Sequence, residues 1–296
     1  MGFDTAYEAI TEEAEDAGHR WAYGTGFTDP LAGVDTTIPP GVDGGDLAAY
    51  CLMLGDDALI MSHRLQEWLA RAPELEEDTA LANIALDLLG QARLLLTRAG
   101  TADASGRSED DYAFRRDERQ FRNVRLAEVA DADFGGLVAR LLVFSTWRLA
   151  LLVRLRESAD PVLAAIAAQG VKEVTYHRDY AAQWTVRLGD GTDYSRQRME
   201  AGLAAVAPLV AELFASTAVQ DRLAAAGVAA VGAGLRPEFD AVIAEVLTAA
   251  GLDWPQAGGL AGVSGQTGRD GVHTEAMGYL LAELQSVARA YPGATW

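Results

Sequence analysis

Apolar residues recur at three- and four-residue steps along four long stretches of the chain, as they do in helices that bury one face. The first stretch covers about residues 47–70, and its apolar face is formed by Tyr50, Leu54, Met61, Leu65 and Trp68. The second covers about residues 75–99, and we expect it to end at Gly100 because glycine commonly terminates helices. Its shared face comprises Leu81, Ile84, Leu88, Gln91 and Leu95.

The third and fourth stretches complete a set of four long helices. The third, about residues 131–158, is apolar nearly all round, so we expect it to be the most buried helix. The fourth begins with an N-cap at Asp160 and with Pro161 at the first helical position, and it ends near residue 188. Four such helices predict a four-helix bundle.

The rest of the chain predicts further helices and no sheet. We expect helices over about residues 195–215, 236–250 and 274–290, a charged connection over residues 100–130 and a glycine-rich loop over residues 256–271. Alternating runs bounded by hairpin turns are missing from the sequence. We therefore predict an all-α fold, with a bundle core and additional C-terminal helices, in one domain over residues 47–296. Residues 1–46 are predicted to form an acidic, partly disordered N-terminal arm.

Composition narrows the function classes. The chain has 43 acidic and 24 basic residues and a net charge of −19, so a nucleic-acid partner is not expected. Its single cysteine, Cys51, excludes an internal disulfide and fits a reducing compartment. The acidic N-terminal stretch does not resemble a signal peptide, and we expect no apolar run of the about 20 residues that span a bilayer. These features predict a cytoplasmic protein that does not enter a membrane.

Two of the predicted helices have the spacing of a di-iron bundle but not its ligands. In such bundles two helices each carry a Glu-x-x-His motif, and the other two each supply a carboxylate. Here the second helix offers Leu88 and Gln91, and the fourth offers Val174 and His177. The corresponding inward position of the third helix is Ser145. We therefore predict that this chain binds no metal at these positions and has no catalytic residues.

Four polar side chains remain near the predicted bundle centre, namely Asp57, Asp87, Arg148 and His177. Only the first helix, with Asp56 and Asp57, keeps an acid near a ligand position. His177, alone on an apolar face, is interpreted as a core histidine. An unpaired buried charge is costly, so we predict that Arg148 reaches Asp57, Asp87 or both, and that this salt bridge replaces the metal.

Several long segments resemble a known family. They are GDDALIMSHRLQEWLARAPELEEDTALANIALDLLGQAR, FRRDERQF, KEVTYH, GVHTEAMGYLLAELQ and the ending PG-x-x-W. Together they are similar to the C subunits of the bacterial ring-1,2-phenylacetyl-CoA epoxidases, over about residues 47–296. The resemblance implies a ferritin-like fold and a role in aerobic phenylacetate catabolism, in a multicomponent monooxygenase that epoxidises the ring of phenylacetyl-CoA.

The resemblance also implies a division of labour within a hetero-oligomer. The catalytic A subunit would carry the di-iron centre and bind the substrate, and a reductase would supply electrons from NADPH. This chain would hold no cofactor and would support the A subunit. The family's Glu-x-x-His motifs fall on Leu88–Gln91 and Val174–His177 here. The N-terminal arm departs from the family pattern.

Two other functions stay open on the residues alone. One is an independent ferritin-like metalloprotein with the non-standard ligands Asp57, Asp87, His63 and His177. The other is a ferritin-like storage or scaffold protein.

Contacts with a partner subunit or with coenzyme A are a further hypothesis. They would involve Arg115, Arg116 and Arg119, since arginine suits bidentate phosphate contacts, and His273 and Glu275. The alternative for the last two is a helix start, with Thr274 near the cap and Glu275 in the first turn.

Overall fold

Four long helices make up the core of the structure, a computed structural model that describes residues 31–259 and 265–294. In chain order the α-helices are α1 (Gly44–Gln66), α2 (Leu75–Ala102), α3 (Glu109–Phe114), α4 (Arg125–Glu128), α5 (Phe134–Leu155), α6 (Pro161–Gly189), α7 (Asp193–Val206), α8 (Ala218–Ala225), α9 (Arg236–Ala250) and α10 (Glu275–Ala290). Short 3₁₀ helices cover Glu118–Gln120, Ala207–Phe214, Gly232–Leu235 and Gly268–Asp270. The core helices are α1, α2, α5 and α6. The described residues contain no β-strand, which confirms the all-α class.

The first two core helices run antiparallel and close together. Ser62 Oγ of α1 donates a hydrogen bond to the carbonyl oxygen of Ala85 at 2.7 Å. Further back along α1, Gly55 lies against Leu96 of α2, and a Cβ at this glycine would come within 3.0 Å of the leucine side chain. The two helices are therefore antiparallel, and Gly55 permits their close approach.

The other two core helices pair in the same way. Leu152 near the end of α5 contacts Gly170 in the first half of α6. Phe134 at the start of α5 meets Trp184 near the end of α6, edge to face, with ring centroids 4.9 Å apart. The two antiparallel pairs form the predicted bundle, and the fold is consistent with the ferritin-like class.

Side-chain caps set where these helices begin. Asp43, Asp133 and Asp160 each accept a hydrogen bond from a backbone N–H three residues further on, at the starts of α1, α5 and α6. The predicted cap at Asp160 and Pro161 at the first helical position are confirmed. The helix predicted over residues 236–250 is also confirmed, as α9.

Gly100 does not end α2 as predicted. The helix continues to Ala102 and is capped by Asp103. The glycine is required by packing instead, because a Cβ at this position would come within 2.1 Å of the carbonyl oxygen of Arg107. A glycine is therefore required at position 100 by tertiary packing and not by the end of a helix.

Two helices of the described chain are long and apolar enough to cross a membrane by length and composition alone, α2 and α5, and a bent pair, Asp193–Phe214 with Ala218–Ala225, would add a third span. The expectation that no apolar run approaches bilayer length was therefore wrong. In α5, 89% of the most apolar window is buried inside the protein, against 44% in α2. Packing in the bundle thus accounts for the composition of α5, which is the most buried of the four core helices, as predicted.

The charged connection over residues 100–130 has regular structure of its own. It contains α3, a 3₁₀ turn and α4, and it lies against α1 and α10. The glycine-rich segment has no regular structure over residues 256–259, lies outside the described residues over 260–264, and includes the 3₁₀ turn Gly268–Asp270. Residues 1–30 of the predicted arm also lie outside the described residues, so the arm and its boundary stay predictions.

Candidate functional site at the bundle centre

A chain of hydrogen bonds that runs from buried Arg148 to half-buried Glu173 connects the core helices. Arg148 on α5 is only 1% exposed, and its Nε donates to Oε1 of Gln91 on α2 at 2.9 Å. The Nε2 of Gln91 donates in turn to Oε2 of Glu173 on α6 at 2.8 Å. Arg148 Nη1 also donates to the carbonyl oxygen of Leu54 on α1 at 3.4 Å. All four core helices therefore contribute to this one cluster.

Arg148 keeps its charge in this setting. Burial lowers the pKa of its guanidinium to about 10, while the negative charges of Asp57 and Glu173 oppose that shift. This value lies far above neutral pH, so the centre of the bundle contains a cation. Within the described part of the chain, Nη2 of Arg148 has no hydrogen-bond partner.

The predicted ion pair between Arg148 and Asp57 does not form. The carboxylate of Asp57 pairs instead with Arg269, whose Nη2 lies 2.8 Å from Oδ2 and whose Nη1 lies 3.0 Å from Oδ1. Asp57 also accepts the backbone N–H of Val124 at 2.8 Å. Burial raises the pKa of the Asp57 carboxyl, and the charge of Arg269 works against that shift. Arg148 is buried as predicted, but its contact with Asp57 is limited to the long-range attraction of the two charges.

Asp56, the other acid of the first helix, is also fully engaged. It forms a buried ion pair with Arg116 and accepts the backbone N–H of Arg122 at 2.8 Å. The two aspartates thus fasten the 116–124 segment and the Gly268–Asp270 turn to α1. The guanidinium of Arg116, a predicted contact for a partner or coenzyme A, is therefore buried against Asp56 and occupied within this chain.

His177 is a satisfied core histidine, as interpreted from the sequence. It is 1% exposed, and its Nε2 lies 3.0 Å from Oδ2 of Asp87. Asp87 was predicted to be buried, but its side chain is 36% exposed. The second predicted partner of Arg148 therefore pairs with His177 at the edge of the bundle.

The remaining positions of the di-iron pattern hold side chains that do not fit a di-iron centre. Leu88 and Val174 are buried and apolar. Ser145 Oγ donates its proton to the carbonyl oxygen of Leu141 at 2.6 Å. Together with Gln91 and Arg148, these positions offer iron one amide, one hydroxyl and a positive charge. A di-iron centre requires several carboxylates.

The four ligands of the alternative metalloprotein do not converge. Among the described residues, two groups of three or more His, Cys, Asp or Glu side chains have ligand atoms within 4.8 Å of one another. One is His63, Glu67 and Glu283, and the other is Glu74, Glu76 and Glu77 at the start of α2. His63 therefore lies with two glutamates rather than with Asp57, Asp87 and His177.

The predicted partner or coenzyme A contacts divide into exposed and buried side chains. Arg115 and Arg119 are exposed, and Arg119 has no ion pair within the described chain. Glu275 is exposed in the first turn of α10. His273 is not available, because both of its ring nitrogens contact acceptors of this chain, Oε2 of Glu128 at 2.7 Å and the carbonyl oxygen of Phe121 at 3.2 Å. Thr274 takes the N-cap position of α10, so the helix-start interpretation is confirmed.

Three charged residues that make the contacts described above were not found by sequence reasoning. Arg269 lies in a glycine-rich loop, Glu128 in a four-residue helix, and Glu173 directly before the position where a carboxylate was expected. Only Glu173 carried a local signal, since it neighbours Val174 in the KEVTYH segment.

The fold and the site together define an all-α, ferritin-like bundle protein with an arginine cation buried at its centre. The chain belongs to the phenylacetic acid catabolic protein family, whose sequence profile matches residues 35–296. It is 43% identical over 250 residues to the C subunit of the 1,2-phenylacetyl-CoA epoxidase of Escherichia coli (strain K12). That match covers 84% of this chain and 99% of the relative.

Proposed function

We propose that this chain is the structural, non-catalytic C subunit of a phenylacetyl-CoA epoxidase and that it pairs with the catalytic di-iron A subunit. The similarity to the C subunit of such an epoxidase, over nearly the whole relative, supports the assignment to this enzyme. The observation that carries the non-catalytic role is Arg148, a buried cation hydrogen-bonded to Gln91 at a di-iron ligand position.

Electrostatics explains why a guanidinium here opposes a metal. Two like unit charges about 4 Å apart repel by roughly 4 kcal/mol at an effective dielectric constant of about 20, and a divalent ion doubles that cost. The two aspartates of α1 do not compensate, because Asp56 and Asp57 are paired with Arg116 and Arg269. Oxygen activation would therefore belong to the A subunit, with electrons supplied by the reductase.

A contribution to coenzyme A binding is the second part of the proposal. Arg119 is exposed and carries no ion pair within the described chain, so its guanidinium is free for a phosphate group. Arg115 lies nearby in sequence but is held at 3.2 Å from Asp111. The acidic surface and single cysteine fit a cytoplasmic complex of this kind.

Co-expression with the A subunit tests the structural role. The full chain is purified alone and together with the A subunit, and association, iron per chain and phenylacetyl-CoA epoxidation are measured. We expect a small hetero-oligomer, two irons per A subunit, no epoxidation by this chain alone, and weak or no epoxidation by the A subunit alone. Two irons per copy of this chain, or full activity of the A subunit without it, would contradict the proposal.

Two further measurements address the remaining functions. Light scattering that finds a cage-sized homo-oligomer would favour a storage protein over an epoxidase component. For coenzyme A, Arg119→Ala is compared with Arg154→Ala, an exposed arginine on α5 that pairs with Glu238. We expect a higher KM for phenylacetyl-CoA in the complex that contains Arg119→Ala and no change with Arg154→Ala. Equal KM values in both would remove Arg119 from substrate binding.

A further inference from the structure

We propose that His63, Glu67 and Glu283 form a binding site for one divalent first-row transition ion, with Zn²⁺ as the reference ion. The site lies where α1 meets α10. Nothing in the proposed epoxidase role requires it, and it would survive the failure of that proposal.

The three side chains converge from two separate helices. His63 lies in the last turn of α1, and Glu67, four residues further on, is the C-cap residue of that helix, so their side chains point to the same side. Glu283 comes from α10, more than two hundred residues further along the chain. One ligand atom from each lies within 4.8 Å of the others, a spacing that lets all three contact a single ion.

The histidine supplies an independent reason to expect an ion. Its Nε2 is shielded from solvent, and it has no hydrogen-bond partner within the described part of the chain. A buried polar nitrogen without a partner is costly, and a metal ion would remove that cost. One imidazole with two carboxylates suits Zn²⁺ and related transition ions better than Mg²⁺ or Ca²⁺, which prefer oxygen ligands alone.

The framework around the site is held by Arg64. Its Nε donates to the carbonyl oxygen of Glu128 at 2.8 Å, and its Nη2 donates to that of Ala276 at 3.0 Å, which fixes α1 against α4 and α10. Its Nη1 donates to Oε1 of Glu67 at 2.7 Å, so Oε2 of this carboxylate is left for an ion.

The space beside the ligands completes the site. A cavity of about 350 Å³ opens there and is lined by Arg64, Glu67, Arg71, Tyr279, Leu280 and Glu283. It leaves room for water as the remaining ligand of a three-residue site. Because Arg64 and Arg71 add positive charge, both carboxylates are needed to make the site favourable for a cation.

Metal binding by the full-length chain tests the proposal directly. The protein is stripped with a chelator and titrated with Zn²⁺ by calorimetry, and Co²⁺ is added separately to record its ligand-field absorption bands. We expect one Zn²⁺ per chain. His63→Ala and Glu283→Gln should each weaken Zn²⁺ binding by about 100-fold or more, since even outer-shell changes at metal sites cost about 10–100-fold. Both should also abolish the Co²⁺ bands of a histidine-ligated site.

Matched variants separate this site from unspecific binding. Glu76→Gln alters the exposed acidic group at the start of α2, and His19→Ala removes a histidine of the N-terminal segment. Both should bind Zn²⁺ as the wild type does. Circular dichroism of all variants in chelator checks that they fold. No Zn²⁺ uptake by the wild type, or uptake that folded His63→Ala and Glu283→Gln retain, would overturn the proposal.

Discussion

Arg148 on α5 and Gln91 on α2 are joined by a hydrogen bond of 2.9 Å between Nε and Oε1, at the centre of the bundle. The same amide donates to Glu173 at 2.8 Å, so its two ends serve a cation on one side and a carboxylate on the other. A glutamine can do both because it carries one acceptor and one donor group, whereas a glutamate would repel Glu173. Gln91, which the sequence pattern assigns to a predicted metal-ligand position, therefore links the two charges.

Replacing this glutamine should reveal how strongly the two residues depend on each other. Gln91→Leu leaves Arg148 Nε without an acceptor, and we expect the free energy of unfolding to fall by about 2–3 kcal/mol. Arg148→Met in the same chain removes the stranded charge and should recover much of that loss. Urea denaturation of the wild type, both single variants and the double variant measures the coupling.

Gln66→Leu is the matched control, because Gln66 is exposed at the end of α1. It should change stability by less than about 0.5 kcal/mol. If the effects of Gln91→Leu and Arg148→Met simply add in the double variant, the hydrogen bond between them is not an important part of the bundle's stability.

Breaking the buried ion pair between Arg269 and Asp57 should destabilise the protein more than breaking an exposed ion pair. Arg269→Met leaves a fully buried carboxylate without its cation, and we expect a loss of about 3–5 kcal/mol at neutral pH. Arg236→Met breaks an exposed pair with Asp240 and should cost about 1 kcal/mol or less. Thermal unfolding followed by circular dichroism compares the two variants, and equal losses would show that Asp57 is not a buried, charge-dependent anchor.

The fold could be predicted because helical periodicity is a local property. The four core helices, the Asp160 cap and the burial of Arg148 all follow from residues within one or two turns of each other. Leu88 and Val174 were also informative, because the ligand spacing of di-iron bundles predicts carboxylates at these two positions and the sequence has apolar residues there. The ends of the helices were harder to predict, as Gly100 shows. A glycine can be required by tight packing, here against Arg107, or by the end of a helix, and the sequence looks the same in both cases.

The partners of the buried charges could not be predicted in the same way. Asp57 and Arg269 are 212 positions apart, and no repeating pattern connects a bundle helix with a glycine-rich loop. The sequence indicated that the buried charge of Arg148 needed a partner, and Asp57 and Asp87 were the candidates on the predicted helices. In the structure, Asp57 is bonded to Arg269 and to the backbone of Val124, and Asp87 pairs with His177. Arg148 donates instead to the side-chain amide of Gln91.

Cys51 should be unreactive in the folded protein. Burial raises the pKa of its thiol, and the charge of Asp160 adds to the shift, so almost no thiolate forms near neutral pH. We expect no reaction with an aromatic disulfide reagent until denaturant is added, and then one thiol per chain. Fast labelling of the native protein would show that α1 opens locally far more often than its packing indicates.

His273 should make the protein less stable as the pH rises above about 6.5. Its Nε2 faces a carbonyl oxygen, which only accepts, and its Nδ1 faces Oε2 of Glu128, which also accepts from Asn123 at 2.8 Å. Both ring nitrogens can donate only when the imidazole is protonated, so these contacts favour the cation. Burial alone would lower the pKa of His273, but the hydrogen bond to Glu128 and that carboxylate's charge outweigh it and raise the pKa above its ordinary value.

This raised pKa determines the sign of the effect. The folded protein holds the proton of His273 more tightly than the unfolded chain, so the stabilisation is complete below about pH 6.5 and is lost as the pH rises through the folded value. Urea denaturation in chelator should show wild-type stability falling over that window, by about 1.4 kcal/mol for each unit of pKa shift. His273→Gln should be less stable at pH 6 and nearly flat across the window, whereas His19→Gln should keep the wild-type slope. A wild-type slope that persists in His273→Gln would assign the titration to another group and leave the contact with Glu128 as a neutral hydrogen bond.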